Sequence, residues 1–264
     1  MAVISHNRAD RLRKCIESLE RADGRERLQL IVVDNGSRDG SPQVVEEFPN
    51  VQLIRLPKNF GLTKAMNLGW RAADAEYVLF LHEDTEVEPN VAALLADALD
   101  ADPALAAACP LLVAASGNPA PQLGSLPPDG DWEPAEAGSG PVAVDYPRGA
   151  AAMVRVFLIR AIRQIDERYG QFGGDADLAA QILRAGKKIL LIPEARVRHY
   201  ADRPEEALDR ADFLLGRALF IGKYLGFLAG LRARLGAIFG PLMRLQLGVV
   251  GHTVSGQKID GTQA

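Results

Sequence analysis

The order of apolar runs in the first hundred residues restricts this chain to one class of fold. "MAVIS" (1–5) is followed by a helical pattern near 8–22, with Leu12, Cys15, Ile16 and Leu19 at helical spacing. Then come "LQLIVVD" (28–34), a helix near 41–48, "VQLIRL" (51–56), a helix near 62–73, "YVLFL" (77–81), a helix near 89–101 and "LAAACPLLV" (105–113). Short β-branched and aliphatic runs alternating with amphipathic helices predict an α/β fold with a mainly parallel sheet covered by helices on both faces. Ligands of such sheets sit at the carboxyl ends of the strands, which directs attention to Asp34 and Asp84 at the ends of the second and fourth runs.

The rest of the chain reads differently. Residues 115–141 are rich in Pro, Gly and Ala and predict a long loop, either plainly solvated or a lid in which Trp132 is a stacking platform. "VAVDYPRGAAAMVRV" predicts one or two strands around Gly149, followed by helices near 156–164 and 175–185. "KKILLIPEARVRHY" predicts two short strands split near Pro193. From 204 the strand pattern stops, and two helices separated or bent near Pro241 are expected. The expected division is therefore an α/β unit over 1–203 and a helical extension with a flexible tail over 204–264. Between Phe213 and Gly251 lie Arg217, Lys223, Arg232, Arg234 and Arg244 and no acidic residue. These helices are expected either to pack on the domain or a second copy, or to lie on an anionic membrane surface.

Composition removes several functions. With 30 basic and 34 acidic residues in 264, the net charge is −4, without the basic footprint of a nucleic-acid binder. Cys15 and Cys109 are the only cysteines, far apart in apolar runs, which suits neither a disulfide framework nor a thiolate metal site and fits a reducing cytoplasm. No secretory leader and no uncharged apolar run of about 18 residues is present, so a cytoplasmic chain is expected, peripheral at the inner face of the cell membrane if the basic helices act as an anchor. A strand beginning at the first residue raises the expectation of a trimmed start.

Five stretches carry candidate chemistry. In "VVDNGSRDGS" (32–41), Asp34 closes a buried strand and Asn35 begins a turn, a carboxylate and an amide suited to reading a nucleobase or ribose; turn anchoring alone would also explain them. In "PKNFGLTKAMNLGW" (57–70), Asn59, Gly61, Lys64 and Asn67 surround a helix start whose amides could face an anion, although Asn67 could equally be an ordinary solvated residue. In "YVLFLHEDTEV" (77–87), charged groups leave a buried strand, where an unpaired ion costs several kcal/mol. Asp84 suits a hard divalent cation, and on extended chain His82 shares its face while Glu83 points away. In "FGGDADLAAQILRAGKK" (172–188), Asp175 and Asp177 fall in a first helical turn, where the helix dipole favours an ionised carboxylate whether or not it is a general base. "IPEARVRHY" ends on His199, a candidate imidazole ligand.

Taken in order, "SHNRADRLRKCIESL", "IVVDNGSRDGS", "NFGLTKAMNLGW", "YVLFLHEDTEV", "RGAAAMV", "GGDADLAAQILRAG" and "IPEARVRHY" resemble the family 2 glycosyltransferases of the GT-A fold over roughly residues 1–200. The resemblance implies a nucleotide-diphosphate sugar donor, a divalent Mn²⁺ or Mg²⁺ on the diphosphate, and inverting transfer to an acceptor hydroxyl. Residue by residue it implies Asp34 at the base, Asp84 as the last acid of the DxD metal motif, Asp175 as general base and His199 completing the metal site. Asn35, Asn59, Gly61, Lys64, Asn67, Glu83 and Gly149 fall to donor binding by the same resemblance, and Asp177, Gln181, Arg184 and Trp132 to the acceptor side. The long loop and basic tail are similar to rhamnosyltransferase-type enzymes of cell-surface polysaccharide assembly, with a glycan or polyprenyl-linked acceptor.

Three departures stand out. His82 occupies the first DxD position, Gly174 stands where many members have Glu, and "QILRA" (181–185) resembles the Q-x-x-R-W motif of processive synthases but has Ala185 for Trp. The last points to addition of one sugar rather than polymerisation. The first two keep a second reading open, a nucleotide-sugar-binding protein without catalysis. A nucleotidyltransferase would need a Gly-rich basic phosphate loop after the first strand, and "SHNRADR" is not one.

Overall fold

The structure, a computed structural model, describes residues 1–136, 138, 140–202 and 204–261. Four βα steps open it, the last with two strands: β1 (Ala2–Ser5), α1 (Ala9–Glu20), β2 (Leu30–Asp34), α2 (Ser41–Glu46), β3 (Val51–Arg55), α3 (Leu62–Ala72), β4 (Tyr77–His82), β5 (Thr85–Val87) and α4 (Val91–Ala101). There follow β6 (Leu105–Val113), β7 (Pro121–Gly124), β8 (Glu133–Pro134), β9 (Val142–Ala143), β10 (Tyr146–Pro147), β11 (Ala151–Arg155), α5 (Val156–Ala161), α6 (Gly174–Arg184) and β12 (Lys188–His199). Three helices close the chain, α7 (Ala207–Leu225), α8 (Phe227–Met243) and α9 (Leu247–Ser255).

The period-two alternation of the strands splits the core into two layers. Ala2, Ile4, Ile31, Val33, Val78 and Phe80 point to the side covered by α3, α5 and α6. Val3, Val32, Leu79 and Leu81 point to the side covered by α1, α2 and α4. Strands with both faces covered need no polar alternation, which is why the runs read as continuous apolar sequence.

The main sheet has the order β3–β2–β1–β4–β11–β6–β12–β5, with β9 beside β12. It is mixed rather than mainly parallel. Pairs β3–β2, β2–β1, β1–β4 and β6–β12 are parallel, while β11 is antiparallel to both β4 and β6, and β12 is antiparallel to β5 and β9. Helical crossovers return the chain parallel; β11 is entered from the 114–150 segment without one.

Strands β4 and β5 are separated in sequence by Glu83 and Asp84 alone, yet three strands lie between them in the sheet. Four flat strand spacings amount to about 19 Å, whereas three Cα steps reach about 11 Å at most. The sheet therefore curls, and the Glu83–Asp84 turn is the point at which it folds back toward itself.

Segment 115–141 is not one long loop. β7 and β8 pair with each other, and β10 pairs with β7, in a small antiparallel sheet. β12 is one strand, not two; its register against β6 jumps between Ile192 and Arg196, so Pro193 falls in a bulge where its missing N–H breaks no ladder bond. The C-terminal part has three helices instead of two. The break lies at Gly226, whose φ of 98° a residue with a Cβ rarely adopts, and Pro241 stays inside α8. Of the expected tail, Ile259 is buried, and residues 262–264 lie outside the described residues.

Helix α7 shares the core of the α/β part through Phe220. It is also joined to α6 by a buried polar cluster. The fully buried Asp177 carboxylate receives Lys223 Nζ and Tyr224 Oη at 2.8 Å each, Gln181 Nε2 at 2.8 Å and Tyr169 Oη at 3.3 Å. Removing one member of such a cluster leaves the others desolvated and unpaired, at a cost of about 3–5 kcal/mol. Urea unfolding of Asp177→Ala is expected to show a loss near the lower end of that range, about 3 kcal/mol, because Lys223 retains some access to water; an unchanged midpoint would show that the cluster does not hold α7.

Candidate active site

Two loops meet first. The β1–α1 loop and the β2–α2 loop are locked by the Asn7 amide donating to Ser37 Oγ (2.9 Å) and the Arg38 amide donating to Asn7 Oδ1 (2.7 Å), with His6 Nδ1 against the Asn35 carbonyl at 2.9 Å. Asp34 is fully buried; its Oδ2 accepts the Ser37 amide at 3.3 Å while Oδ1 has no hydrogen-bond partner. A sealed carboxylate oxygen without a donor is costly unless something completes it. Asn35 is already engaged. Its Nδ2 donates to Asn59 Oδ1 (2.8 Å) and the Gly61 carbonyl (3.1 Å), and its Oδ1 accepts the Phe60 amide (2.9 Å).

The expected anion site at the start of α3 is closed. The Gly61 amide donates to Asn59 Oδ1 (2.9 Å) and the Thr63 amide to the Gly170 carbonyl (3.3 Å). Gly61, with φ 80°, has the Ile259 and Gly170 backbones so close that a Cβ would lie 2.2 Å from the Ile259 oxygen. Lys64 Nζ sits 4.3 Å from the Phe60 ring centre. Asn67 is fully buried, donating to the Ile165 carbonyl (2.8 Å) and Glu167 Oε1 (2.9 Å) and accepting Trp70 Nε1 (3.0 Å). Gly61, Lys64 and Asn67 therefore serve packing here, in place of the anion contact expected from their spacing, and none lines the main cleft. Asn59 lines a neighbouring hollow, with His6, Asn7, Arg8 and Asp202.

The main cleft, about 340 Å³, lies along the ends of β1, β2 and β4 and is roofed by the small sheet, the 171–173 segment and α7. At its floor the curl of the sheet brings distant residues together. Asp84 lies in the turn after β4, not on extended strand as its spacing suggested. His199, the last residue of β12, pairs with Thr85 of β5, and the Tyr200 amide donates to the Asp84 carbonyl at 3.1 Å. His199 Nε2 is then 3.4 Å from Asp84 Oδ1, and the ligand-capable atoms of His82, Asp84 and His199 all lie within 4.8 Å of one another.

This trio fits a divalent ion by two observations. His82 Nε2 and Asp84 Oδ1 are both sealed from solvent without a hydrogen-bond partner; the 3.4 Å approach of His199 to Oδ1 is an ion-pair contact, too long and oblique to satisfy it. Burial, helped by His199 and Arg148 and opposed by Asp84, pushes the His82 imidazole down to about 4, so the ring is neutral, as a ligand must be. Burial alone would push the Asp84 carboxyl up, but the contact with His199 and the positive charge of Arg8 hold it well below the usual range. Arg8 Nη1 reaches the other Asp84 oxygen at 3.3 Å. Glu83 lines the same cleft; burial and then the neighbouring Asp84 charge push it up to about 7.

Across the cleft stands Asp175, in the first turn of α6 after Gly173, whose φ of 100° makes the sharp entry. Its carboxylate accepts its neighbour's Ala176 amide (2.9 Å) and the Tyr146 hydroxyl (3.1 Å). Burial pushes its pKa up, and these donors oppose the rise. Gly149 permits this placement, since a Cβ there would come 2.9 Å from Asp175 Oδ2. Gly174 is likewise required by space: a Cβ would meet Thr63 Oγ1 at 2.3 Å, which accounts for the absence of a larger residue before Asp175.

Trp132 lines the cleft with its ring centre 5.0 Å from that of Tyr146. Asp177, Gln181 and Arg184 do not line it; they belong to the α6–α7 junction, with Arg184 over the Tyr224 ring at 5.2 Å. Tyr146, Arg148, Phe213 and Arg217 also line the cleft, and none is a site residue expected from sequence; Arg217 is expected only as one of the basic residues of the C-terminal helices. Arg148 stands beside Gly149 in a motif that was read for its glycine. Tyr146, Phe213 and Arg217 carried no local signal, because small-sheet pairing and the packing of α7 bring them in.

Comparisons with known proteins agree with this layout. An N-acetylglucosaminyltransferase of Mesorhizobium japonicum is 33% identical over 208 residues, covering 72% of this chain and 48% of that protein. The succinoglycan biosynthesis protein ExoO of Rhizobium meliloti is 34% identical over 90 residues, 33% of this chain and 26% of its own length. The chain thus spans about half or less of these curated relatives. Among solved structures, GalNAc-T7 with UDP, GalNAc and Mn²⁺ superposes with a TM-score of 0.69 at 16% identity, covering 83% of this chain and 46% of the other. The mannosyltransferase PcManGT of Pyrobaculum calidifontis, with GDP-Man and Mn²⁺, gives 0.64 at 15% identity over 98% and 82%. These likenesses show the GT-A fold. The family model of Glycosyl transferase family 2 matches residues 1–161, more than half the chain, and the protein belongs to that family.

Proposed function

We propose that this protein is an inverting, metal-assisted glycosyltransferase that moves a sugar from a nucleotide-diphosphate donor, UDP- or dTDP-linked, to a hydroxyl of a glycan or polyprenyl-linked acceptor. The observation that carries the reading is the convergence of the Asp175 carboxylate and the His82–Asp84–His199 trio on one cleft. The family membership and the nucleotides named in the neighbouring structures, UDP in one and the donor GDP-Man in another, support it, as does the part of ExoO in succinoglycan biosynthesis.

In this mechanism Asp175 accepts the proton of the acceptor hydroxyl as its oxygen attacks the anomeric carbon from the face opposite the leaving group. Tyr146 and the Ala176 amide hold the carboxylate in one orientation, so little reorganisation accompanies proton transfer. Trp132 offers an apolar face against which a sugar ring can stack. Asp34 Oδ1, with no donor of its own, is suited to the N–H edge of a pyrimidine base. Arg8 and Arg148 place positive charge beside the departing diphosphate. His82, Asp84 and His199 would hold a divalent ion, which would supply Lewis-acid neutralisation of that charge. Two imidazoles with one carboxylate suit Mn²⁺ better than Mg²⁺, which prefers an all-oxygen shell.

The rival reading, donor binding without turnover, rested on His82 and Gly174. The close approach of Thr63 gives Gly174 a steric reason, which leaves His82 as its motive. Transfer of a single sugar in cell-surface polysaccharide assembly, on the cytoplasmic side, completes the proposal, with a rhamnosyl donor one member of the panel to be assayed.

Three outcomes test it. Asp175→Asn should lower transfer by about a thousandfold while calorimetric nucleotide affinity stays within about twofold; full transfer activity would sink the base assignment. Asp84→Asn should abolish the Mn²⁺-dependent increase in UDP affinity measured by calorimetry, and an undiminished Mn²⁺ effect would place the ion elsewhere. Because a base must be ionised, the rate should fall as pH drops through the raised Asp175 pKa. Tyr146→Phe removes a donor to the carboxylate, so its pH–rate profile should have the acid limb displaced to higher pH; a displacement to lower pH, or none, contradicts the hydrogen bond's role.

A further inference from the structure

Helix α8 is built inside out for a helix in water. Its inward face is made of small residues: Gly230 lies so close to Gly222 of α7 that a Cβ would meet the Gly222 Cα at 2.5 Å, and Ala237 and Pro241 are buried. Its outward face carries the large ones. Leu228, Leu231, Leu235, Phe239 and Leu242 recur at intervals of three and four, which sets them in one stripe, and all are exposed. Phe227 and Met243, at the two ends of the helix, are 79% and 84% exposed. Apart from Val142 and Phe157, every exposed large apolar side chain among the described residues lies between Leu225 and Val254. A contiguous patch of this kind marks an interaction surface.

The charge around the patch selects its occupant. Arg232 is exposed on α8 and borders the stripe, and the exposed Arg244 follows the helix end; Arg234 lies on the other side of the helix, toward Gly256. From Phe213 to Gly251 there is no acidic residue. A second copy meeting this face about a two-fold axis would bring the same arginines together with no carboxylate from α8 or α9 to pair them. Anionic headgroups pair them directly, and arginine stems lying along an apolar stripe with their guanidinium groups turned to the polar layer match an interfacial helix. No helix among the described residues is long and apolar enough to cross a membrane, so contact would be in the plane of the surface.

We infer that the outward face of α8 docks on an anionic lipid bilayer. The inference stands apart from the sugar-transfer reading, because it concerns residues outside the cleft and its test needs no turnover. The cleft and the docking face share α7, which lines the cleft with Phe213 and Arg217 and leads into α8 through Gly226, so a docked molecule would hold its cleft in a fixed relation to the surface.

The test is co-flotation of the full chain with vesicles of phosphatidylcholine alone or mixed with phosphatidylglycerol, at low and high salt. The bound fraction should be at least about tenfold greater on the mixed vesicles and fall with salt. Leu235→Glu/Phe239→Glu should abolish binding and Arg232→Glu/Arg244→Glu should remove the preference for anionic lipid. All four side chains are exposed, so circular dichroism and the thermal midpoint should not change. Equal binding to neutral and anionic vesicles, or none to either, overturns the inference. So does a dimer in light scattering that Leu235→Glu/Phe239→Glu converts to monomer without affecting flotation, which would assign the face to a second copy.

Discussion

Two residues have to join strands that the sheet keeps apart. β4 and β5 are neighbours in sequence and lie four places apart in the main sheet, and the Glu83–Asp84 turn is too short to bridge a flat arrangement. The resulting curl sets much of the molecule's architecture. It returns β5 to the end of β12, and with it places His199 beside Asp84. The insertion of β11 antiparallel between β4 and β6 supplies the sheet width that the curl needs, and carries Gly149 and Tyr146 to the side facing α6.

The same geometry explains why so much ionisable chemistry is tolerated at the end of an apolar strand. Burial by itself would neutralise Asp84 and Glu83. Asp84 remains a carboxylate because His199, His82 and Arg8 surround it, whereas Glu83, which shares only part of that compensation, is pushed up to about 7. His82 is neutral for the opposite reason: its ring is desolvated next to Arg148 and His199. Two imidazoles and one carboxylate, with His82 Nε2 and Asp84 Oδ1 sealed and unpartnered, form a donor set whose energetic deficit a cation would relieve.

The C-terminal helices are continuous with this core on one side and unlike it on the other. α7 buries Phe220, secures Asp177 and offers the Asp212 carboxylate to the amides of Gln171, Phe172 and Ile259. Burial raises Asp212 to about 6, and three backbone donors oppose the rise, so the chain on either side of the cleft roof is tied to one side chain. α8 has none of this. Its small residues allow close approach to α7, and its large ones are left for something other than protein of this chain.

The layering, the order of the elements and the identity of Asp34, Asp84, Asp175 and His199 as residues to examine could be read from sequence alone, because side-chain period and strand-end position are local properties of the chain. The strand "LAAACPLLV" and the helices near 62–73 and 89–101 coincide with β6, α3 and α4 within two residues for that reason. What each polar residue does was decided only by tertiary structure. Asn67 and Asp177 have spacings as suggestive as those of the cleft residues, but their partners, Ile165 and Tyr224, lie 98 and 47 positions away and come from packing rather than from spacing. Tyr146 and Phe213 reach the cleft for the same reason, with no local pattern to announce them. Periodicity tells which side of an element is buried; which distant element covers that side, and hence which polar atoms are left without a partner, depends on contacts between residues far apart in the chain.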